Sequence, residues 1–314
     1  MSNQWFVERK KCPACASTEF KTIYQNACDK GPVNQYLHDF YSTQGNVEEE
    51  YLIGAEYALY KCINCNLIFQ RDIPNDFLME RLYEHWLDPK KVFELNKKVE
   101  DLSYYAKYAQ EVMRIIAFLD KEPSSLKILD FGMGWAKWAL MVKAFGVDSY
   151  GMELSQERIQ HAKENGIKVI SWDEVSQHQF DMINTEQVFE HIPHPLETLR
   201  HLSGGLKKGG IIKISVPTAN DIERRLKVMD WKAPKGSANS LNAVAPLEHI
   251  NYFCHQTFNV MANKVGLEIV QIPLRIQYQF ITDVRGLKKK LKNFVFPIFI
   301  NILKKRNYVF LRKK

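Results

Sequence analysis

With 314 residues, 46% of them hydrophobic and 25% charged, the chain has the composition of a globular protein with one enlarged domain or two ordinary ones, which excludes disordered and disulfide-dense classes. The net charge of +7 is unevenly distributed along the chain: eleven of the 43 basic residues follow Val284, and the residues before them carry 32 basic against 36 acidic side chains. This distribution argues against a nucleic-acid partner. No segment reaches the roughly 18–20 apolar residues of a membrane-spanning helix, and the polar start is not typical of a signal peptide, so we expect a cytoplasmic protein.

Two C-x-x-C pairs lie in the first part of the chain, and they are Cys12 with Cys15 and Cys62 with Cys65. Each turn places two thiolates on one side of a tight loop, and two such turns complete a tetrahedral zinc site. Four protein thiolates leave no open position for substrate, so we expect a structural Zn²⁺; unrelated thiol pairs or redox dithiols are the alternative. We predict a zinc-ribbon-like domain over residues 1–75. The two remaining cysteines, Cys28 and Cys254, are predicted to be packing residues.

A hairpin and a helical region are predicted next. Tyr57–Tyr60 leads into the second cysteine pair and Leu67–Phe69 leaves it, which predicts a short hairpin. Between Phe77 and Leu119 apolar and aromatic residues recur at a spacing near 3.6, so we expect a helical linker over residues 76–123.

From residue 124 onward, short apolar strands alternate with helical segments. The strands are predicted at Lys127–Phe131, Asp148–Met152, Ile167–Ile170, Phe180–Asn184 and Ile211–Val216. Such alternation indicates βαβ units, and hence a Rossmann-like α/β fold with a doubly wound, mostly parallel sheet that binds its ligand at the carboxyl ends of the strands. We assign this domain to residues 124–283.

A glycine turn, Asp130-Phe-Gly132-Met-Gly134, follows the first of these strands. Glycines there allow a ligand to approach the backbone. Lys137 stands where a dinucleotide fingerprint has its third glycine, which argues against an NAD-dependent oxidoreductase. Glu153 ends the second strand, where it is placed to accept both hydroxyls of a ribose, or else simply to cap a helix. The combination favours an adenosine that carries an amino-acid tail.

These motifs, in this order, resemble class I S-adenosylmethionine-dependent methyltransferases over roughly residues 125–275. The stretches that carry the resemblance are Leu129–Ala136, Gly151–Ser155, Phe180–Pro195, Leu206–Gly210 and Val216-Pro217. The resemblance implies a seven-stranded class I methyltransferase fold, with Gly266–Val270 and Arg275–Ile281 as its antiparallel edge pair, and S-adenosylmethionine as cofactor.

The same resemblance implies the cofactor-binding residues. Asp130, Gly132 and Gly134 are expected to line the methionine moiety, and Glu153, with Leu154 beside it, the ribose. Trp172 and Asp173 are expected to flank the adenine, and Gln187 to lie near the sulfonium end.

Two carboxylate–imidazole pairs, Glu190-His191 and Glu248-His249, are the catalytic candidates. An acceptor oxygen, nitrogen or enolisable carbon must lose a proton, and histidine is the usual base. Together with the cysteine unit, these pairs also resemble methyltransferases of sugar and glycan biosynthesis, including those that methylate carbon in nucleotide-linked keto-sugars. That resemblance implies His249 as the base, with His191 and Glu248 near the sugar; alternatively, Glu190 and His191 brace a turn.

Two basic segments remain. Residues 218–245 form an insertion that is rich in cations. These cations either bind a phosphorylated acceptor or form a solvated helix face. The cations are Arg224, Arg225, Lys227, Lys232 and Lys235. Residues 284–314 read as a basic amphipathic tail, either an interfacial helix on the anionic inner face of the membrane or a helix packed on the sheet.

The sequence therefore predicts an S-adenosylmethionine-dependent enzyme that methylates a sugar, either nucleotide-linked or part of a lipid-linked glycan, or a similar polar small metabolite. The alternatives are an RNA or protein methyltransferase and a catalytically inactive binding protein of the same fold. The acceptor atom and the oligomeric state stay open.

Overall fold

The computed structural model describes residues 3–42, 45–86, 101–217, 221–281, 286, 290–291, 293–295, 297–298 and 308–314. The described residues fall into two compact units. Unit 1 is drawn from Met1–Val99, Glu190–Pro195 and Pro217–Thr257, and unit 2 from Glu100–Phe189, Leu196–Val216 and Phe258–Lys314. Each unit is therefore assembled from three separate segments of the chain.

The described part of unit 1 contains a four-stranded antiparallel sheet and a two-stranded one. The larger has the order β11-β4-β3-β2, with β2 at Phe20–Ala27, β3 at Glu56–Cys62, β4 at Ile68–Gln70 and β11 at Asn251–Tyr252. The smaller pairs β1, Phe6–Glu8, with β5, Asp72–Pro74. The hairpin predicted around the second cysteine pair is confirmed, since β3 and β4 pair antiparallel.

The α-helices in the described part of unit 1 pack on one core that is built from separate segments of the chain. They are α1 at Gly31–Tyr41, α2 at Asp76–Arg81 with a π-helical turn at Leu82–Trp86, and α7 at Ile222–Val228. Proline at the start of α1 and the Asn75 side chain, which accepts from Leu78 N at 2.9 Å, fix two of the helix starts. The core joins residues of the N-terminal segment, such as Leu37 and Trp86, to Ile222 and Leu247.

The grouping of residues 217–257 corrects one sequence-based assignment. Residues 218–245 were expected to be an insertion in the α/β domain, separate from a zinc unit that ended at residue 75. The structure instead groups them with the N-terminal segment, because Ile222, Leu226 and Leu241 bury their side chains in the core of unit 1. Burial of apolar surface, rather than proximity in sequence, decides the boundary.

Unit 2 contains the predicted doubly wound sheet. Seven strands of its described residues take the order β12-β13-β10-β9-β6-β7-β8, and they are β6 Lys127–Phe131, β7 Asp148–Met152, β8 Lys168–Val169, β9 Phe180–Glu186, β10 Leu206–Ser215, β12 Leu267–Val270 and β13 Tyr308–Lys313. The ladders from β10 through β9, β6 and β7 to β8 are all parallel. The predicted fold class is confirmed, and the carboxyl ends of β6, β7 and β9 lie at one edge of the sheet.

One predicted strand of this sheet was wrong. Arg275–Ile281 was expected to be an edge strand, but Leu274–Gln279 is a helix, α9, whose Ile276 side chain is buried. The antiparallel strand is β13, which lies between β10 and β12. Residues 308–313 are therefore not part of an interfacial tail, because they form a strand that completes the sheet and buries Val309, Phe310 and Leu311.

The remaining helices of this part of the chain are α3 Leu102–Leu119, α4 Lys137–Ala144, α5 Gln156–Glu164, α6 Pro195–Gly204 and α8 His255–Lys264. The α3 helix begins at its cap Asp101, which accepts from Tyr104 N at 2.9 Å, and buries Val112 and Ile115. It lies within the predicted helical linker, whose residues 87–100 are outside the described residues. In the described part of the chain, no helix has both the length and the apolar character that crossing a membrane requires.

Candidate functional site

The four predicted metal ligands of unit 1 come together. The Sγ atoms of Cys12 and Cys65 lie 3.5 Å apart, as do those of Cys15 and Cys62, and all four lie within 4.8 Å of one another. A tetrahedral zinc ion with Zn–S bonds of about 2.3 Å would place its sulfurs about 3.8 Å apart. All four thiols are buried, so the donor set fits a closed structural Zn²⁺ site.

The other two cysteines stay outside this cluster. Cys28 is buried in the core of unit 1. The Sγ of Cys254 lies 3.3 Å from Oγ1 of Thr257, and that hydroxyl donates to the carbonyl of Cys65 at 2.9 Å. Cys28 thus has the packing role that the sequence suggested, whereas Cys254 is half-buried and lies beside the second cysteine pair.

A buried arginine connects the segment before the first cysteine pair to the rest of unit 1. Arg9 donates through Nε and Nη2 to the carbonyl of Gln70, at 2.8 and 2.6 Å, and through Nη1 to Oδ1 of Asn251 at 2.7 Å. The amide of Asn251 in turn donates to the carbonyl of Ile192 at 2.6 Å. Burial lowers the pKa of Arg9 to about 9. This chain of hydrogen bonds fixes the segment that carries Glu190 and His191.

A second buried side chain, Gln70, shapes the turn that carries Glu248 and His249. Its Nε2 donates to the carbonyls of Ala245 and His249, at 3.0 and 3.2 Å, and its Oε1 accepts from Leu247 N at 3.3 Å. Leu247 has a φ of +71°, a left-handed conformation that costs a residue with a side chain about 1–2 kcal/mol. Gln70 holds the turn in this strained shape, and sequence reasoning missed it.

The structure brings His191 and His249 together, with their ring centroids 4.9 Å apart. Nδ1 of His191 lies 2.9 Å from the carbonyl oxygen of Glu248, and Nδ1 of His249 is hydrogen-bonded to the carbonyl of Asn242. A carbonyl oxygen can only accept, so each Nδ1 carries the proton. Each Nε2 therefore keeps its lone pair and is able to accept a proton.

Burial sets the ionisation of this cluster. It lowers the pKa of His191 to about 4 and that of His249 to about 3, so both rings are neutral near pH 7. Burial also raises the pKa of Glu248, against the opposing effect of the hydrogen bond that Tyr41 OH donates to its Oε1 at 2.8 Å. The two carboxylate–imidazole pairs thus form one cluster within unit 1, with buried carboxylates and partly buried imidazoles.

Donor atoms of Glu190, His191 and His249 also lie within 4.8 Å of one another. Two imidazoles and a carboxylate form a donor set that divalent transition metals accept. This cluster is therefore compact enough to transfer a proton or to bind a cation. The four thiols, in contrast, provide a complete set of ligands for one metal ion.

In unit 2, the glycine turn lies at the carboxyl end of β6. Gly132 has a φ of +71°, and a Cβ added there would lie 2.6 Å from Cγ2 of Val188. Gly134 has a φ of +53°, but a Cβ there would meet no atom within 4 Å. Gly132 is thus required by packing. Gly134 faces space that a bound molecule can occupy, which fits a nucleoside cofactor at this turn.

Asp130 is buried beside this turn. Its Oδ1 accepts a hydrogen bond of 2.8 Å from the amide of Asn184, on the neighbouring strand β9. Burial raises the pKa of Asp130 to about 7, despite the opposing effect of that hydrogen bond. A buried carboxylate in this state would gain from a cationic group such as the ammonium of an amino acid.

Glu153 has more partners than the sequence indicated. Its Oε2 accepts from Gly134 N at 2.9 Å, while its Oε1 accepts from Leu154 N and Ser155 N at 2.9 and 3.2 Å. The carboxylate therefore ties the glycine turn to the two residues that precede α5. Each carboxylate oxygen accepts about two hydrogen bonds, so Oε2 has capacity left for a ribose hydroxyl.

The other expected cofactor residues lie on loops of unit 2. Leu154 is 92% exposed and Trp172 40% exposed, and Asp173 is also exposed. The Trp172 indole stacks on the His201 ring, with centroids 3.8 Å apart, which leaves part of the indole open. Gln187 has a φ of +54° and donates through its backbone N to the carbonyl of Ser215 at 2.9 Å.

A buried ion cluster below the turn escaped sequence reasoning. Nζ of Lys213, on β10, lies 2.5 Å from Oε1 of Glu111 and 2.6 Å from Oε2 of Glu186. Burial alone would lower the pKa of Lys213, but these two carboxylates outweigh it and raise the pKa. The available signal was a lysine within the apolar strand Ile211–Val216.

Comparisons with known proteins give a family. The chain matches the family model described as a methyltransferase domain over residues 103–272, more than half of its length. It is also 26% identical over 142 residues to the ubiquinone biosynthesis O-methyltransferase of Citrobacter koseri. That alignment covers 40% of this chain and 59% of the relative, so the chain spans less than two thirds of that protein.

Solved structures of methyltransferases are also similar. One is a plantazolicin methyltransferase in complex with S-adenosylhomocysteine, at 14% identity and a TM-score of 0.47, covering 76% of this chain and 94% of that chain. Another is the magnesium protoporphyrin IX methyltransferase of Synechocystis, at 12% identity and a TM-score of 0.46, covering 76% and 100%. A third, from Galdieria sulphuraria, is a putative sarcosine dimethylglycine methyltransferase at 16% identity and a TM-score of 0.42, covering 66% and 86%.

Proposed function

The chain belongs to the methyltransferase-domain family, and we propose that it is an S-adenosylmethionine-dependent methyltransferase whose acceptor is a sugar carried by a nucleotide or a lipid, or a similar polar small metabolite. The observation that carries the proposal is the pair of neutral histidines whose Nε2 atoms keep their lone pairs. A hydroxyl acceptor must lose its proton on methylation, and such a nitrogen accepts it.

The residues of unit 2 bind the cofactor in this proposal. S-adenosylmethionine supplies an electrophilic methyl group on a positively charged sulfur. Asp130 pairs with the cationic amino group, and Glu153 accepts from the ribose hydroxyls. The free space at Gly134 admits the ligand next to the backbone. The exposed parts of Leu154 and Trp172 offer apolar surface for the adenine.

In unit 1, His249 acts as the general base and His191 and Glu248 orient the acceptor. The low pKa of His249, about 3, makes it a weak base. It would therefore take the proton while the new bond to the methyl carbon forms, since the acceptor hydroxyl becomes strongly acidic only at that stage. Gln70 and the strained Leu247 fix the direction in which the ring points.

The variant His249→Asn tests the base. The asparagine amide can still donate to the Asn242 carbonyl, but it offers no basic nitrogen. We expect kcat to fall by about 10²- to 10⁴-fold, the usual contribution of a general base, with unchanged affinity for S-adenosylhomocysteine in calorimetry. The control is His194→Asn, which changes an exposed histidine of the same protein. Equal activity of both variants would contradict the assignment.

The acceptor class is tested by incubating the protein with methyl-labelled S-adenosylmethionine and a cell extract separated into nucleotide, lipid and macromolecular fractions. Label in the nucleotide or lipid fraction supports a sugar acceptor. Label confined to RNA or protein would favour those alternative substrates. Binding of S-adenosylhomocysteine without any transfer would favour an inactive binding protein.

We also propose peripheral contact with membranes through the segment that precedes β13. Four apolar side chains there are strongly exposed, and they are Leu291, Phe294, Val295 and Ile298. Basic residues are frequent on both sides of them in the sequence, and apolar side chains among cations favour an anionic lipid surface. Such contact would bring the enzyme to a lipid-linked acceptor.

A further inference from the structure

Unit 1 has a cavity of about 430 Å³ that contains Lys232 and Lys235, two of the cations that the sequence offered for a phosphorylated acceptor. Its size is typical of sites for small molecules. It is lined by residues of α1 and of the chain between α7 and β11, and they are Tyr36, Asp39, Phe40, Trp231, Lys232, Ala233, Lys235, Ser240 and Asn242. The lining thus combines three aromatic rings, two lysines and several groups that hydrogen-bond to hydroxyls.

The aromatic rings hold one another in place. The Trp231 and Tyr36 rings are 5.1 Å apart at an interplanar angle of 57°, and Phe40 stacks on Tyr36 at 5.8 Å. Trp231 also contacts Tyr57, whose hydroxyl donates to the carbonyl of Val244 at 2.5 Å. A rigid aromatic wall of this kind suits the apolar C–H face of a sugar or a planar base.

The cations of this region divide into two groups. Arg224 and Arg225 are occupied, because Arg224 donates to the carbonyl of Ala238 and Arg225 to that of Ser240 at 2.6 and 2.8 Å, and both pair with Asp221. They fix the loop. Within the described part of the chain, neither Lys232 nor Lys235 has an acidic oxygen within 4 Å in an ion pair. These two ammonium groups therefore have charge available for an anion.

The cavity adjoins the histidine cluster through the same elements. Asn242, which lines the cavity, accepts a hydrogen bond from His249 through its carbonyl oxygen. Tyr41, which follows the cavity residue Phe40 on α1, donates to Glu248. The cavity and the histidine cluster are therefore joined through Asn242 and through helix α1.

We propose that this cavity is the acceptor site and that it binds a glycosyl diphosphate, with Lys232 and Lys235 on the diphosphate and Trp231 and Tyr36 against a ring. Asp39 and Asn242 then hydrogen-bond to sugar hydroxyls. The inference rests on the proposed function, which names a sugar acceptor, and extends it to the group that carries the sugar. Nucleotide-linked and lipid-linked sugars share the diphosphate, so the chemistry of the site is common to both.

The test measures binding of inorganic pyrophosphate to the full-length protein by calorimetry. The double variant Lys232→Ala/Lys235→Ala should weaken it by about 10- to 100-fold, since each lost charge-assisted hydrogen bond costs about tenfold. The control Lys227→Ala removes a nearby cation that does not line the cavity and should change nothing. Near-ultraviolet circular dichroism and affinity for S-adenosylhomocysteine should be unchanged in the double variant, which shows that it is folded.

Two further probes compete against pyrophosphate and separate the sources. Tighter binding of UDP-glucose indicates a nucleotide-linked acceptor, and tighter binding of a short-chain prenyl diphosphate-glucose indicates a lipid-linked one; either supports the proposal. Wild-type protein that binds no pyrophosphate, or a double variant that binds it as well as Lys227→Ala does, overturns it. Diphosphate binding without methyl transfer to any sugar would instead refute the proposed function and leave the site standing.

Discussion

At the scale of single residues, Gly132 and Gly134 of the same turn are glycines for different physical reasons. Gly132 is required because Val188 fills the position where its Cβ would lie. Gly134 has no atom within 4 Å of that position, so packing does not require its glycine, whereas its φ of +53° and the proposed cofactor both favour one. A side chain at residue 134 should therefore affect binding more than folding.

The variant Gly134→Ala tests this expectation against Gly209→Ala. Both glycines have positive φ and no atom within 4 Å of an added Cβ, so both substitutions should cost about 1–2 kcal/mol in the free energy of unfolding. Only Gly134→Ala should also weaken S-adenosylhomocysteine binding, by roughly tenfold or more. Urea unfolding and calorimetry measure the two quantities, and equal binding by both variants would contradict the role of Gly134.

At the scale of elements, the cysteine knuckles act on the site through the strands they join. Cys62 ends β3, and Cys12 follows Arg9, whose guanidinium holds both β4 and Asn251. Because Asn251 donates to the carbonyl of Ile192, Arg9 connects the first cysteine pair to the histidine segment through Asn251. Loss of the metal should therefore disorder that segment.

We expect Cys62→Ser to lose bound zinc and to lower the free energy of unfolding of unit 1 by roughly 3 kcal/mol or more, because metal binding is coupled to folding. Cys28→Ala is the control, since Cys28 is equally buried but lies outside the cluster. That variant should keep one zinc ion per chain. Atomic absorption measures the metal content, and a wild-type protein purified without zinc would refute the prediction.

Some strands of the fold could be predicted from the sequence, whereas side chains that support the site through distant partners could not. The strands at Lys127–Phe131 and Asp148–Met152 were predicted to the residue, because their apolar runs are bounded by glycine and acidic positions. Gln70 and Tyr41 were missed, because their hydrogen-bond partners lie about 180 and 207 positions away in the sequence. A local sequence pattern carries no information on such partners, so only the three-dimensional structure reveals that Gln70 and Tyr41 support the site.

At the scale of the whole molecule, the basic C-terminal region divides into a buried and an exposed part. Lys313 on β13 donates to the carbonyls of Ser203 and Leu206 at 2.9 and 2.8 Å, and Arg312 lies over the Phe118 ring. Some of the positive charge thus stabilises unit 2. Leu291 and Phe294, in contrast, have exposed side chains, and the proposed lipid contact depends on them.

A vesicle sedimentation assay tests that contact. The protein should bind vesicles that contain anionic lipid and lose that binding on triple substitution of Leu291, Phe294 and Val295 by serine. The variant Ile53→Ser removes an equally exposed apolar side chain of unit 1 and should bind as the wild type does. Added salt should weaken binding as well, because it screens the basic residues. Unchanged sedimentation of the triple variant would exclude this surface.

The threefold segmentation of unit 1 has a consequence for evolution and for engineering. A crossover that transferred only residues 1–99 to another protein would leave behind Ile222, Leu241 and Leu247, and with them part of the core that those residues need. The same crossover would also separate Arg9 from Asn251. Residues 1–99 are therefore not expected to fold as a transferable module, and if the cavity is the acceptor site, a change of acceptor should arise by substitution within it rather than by exchange of domains.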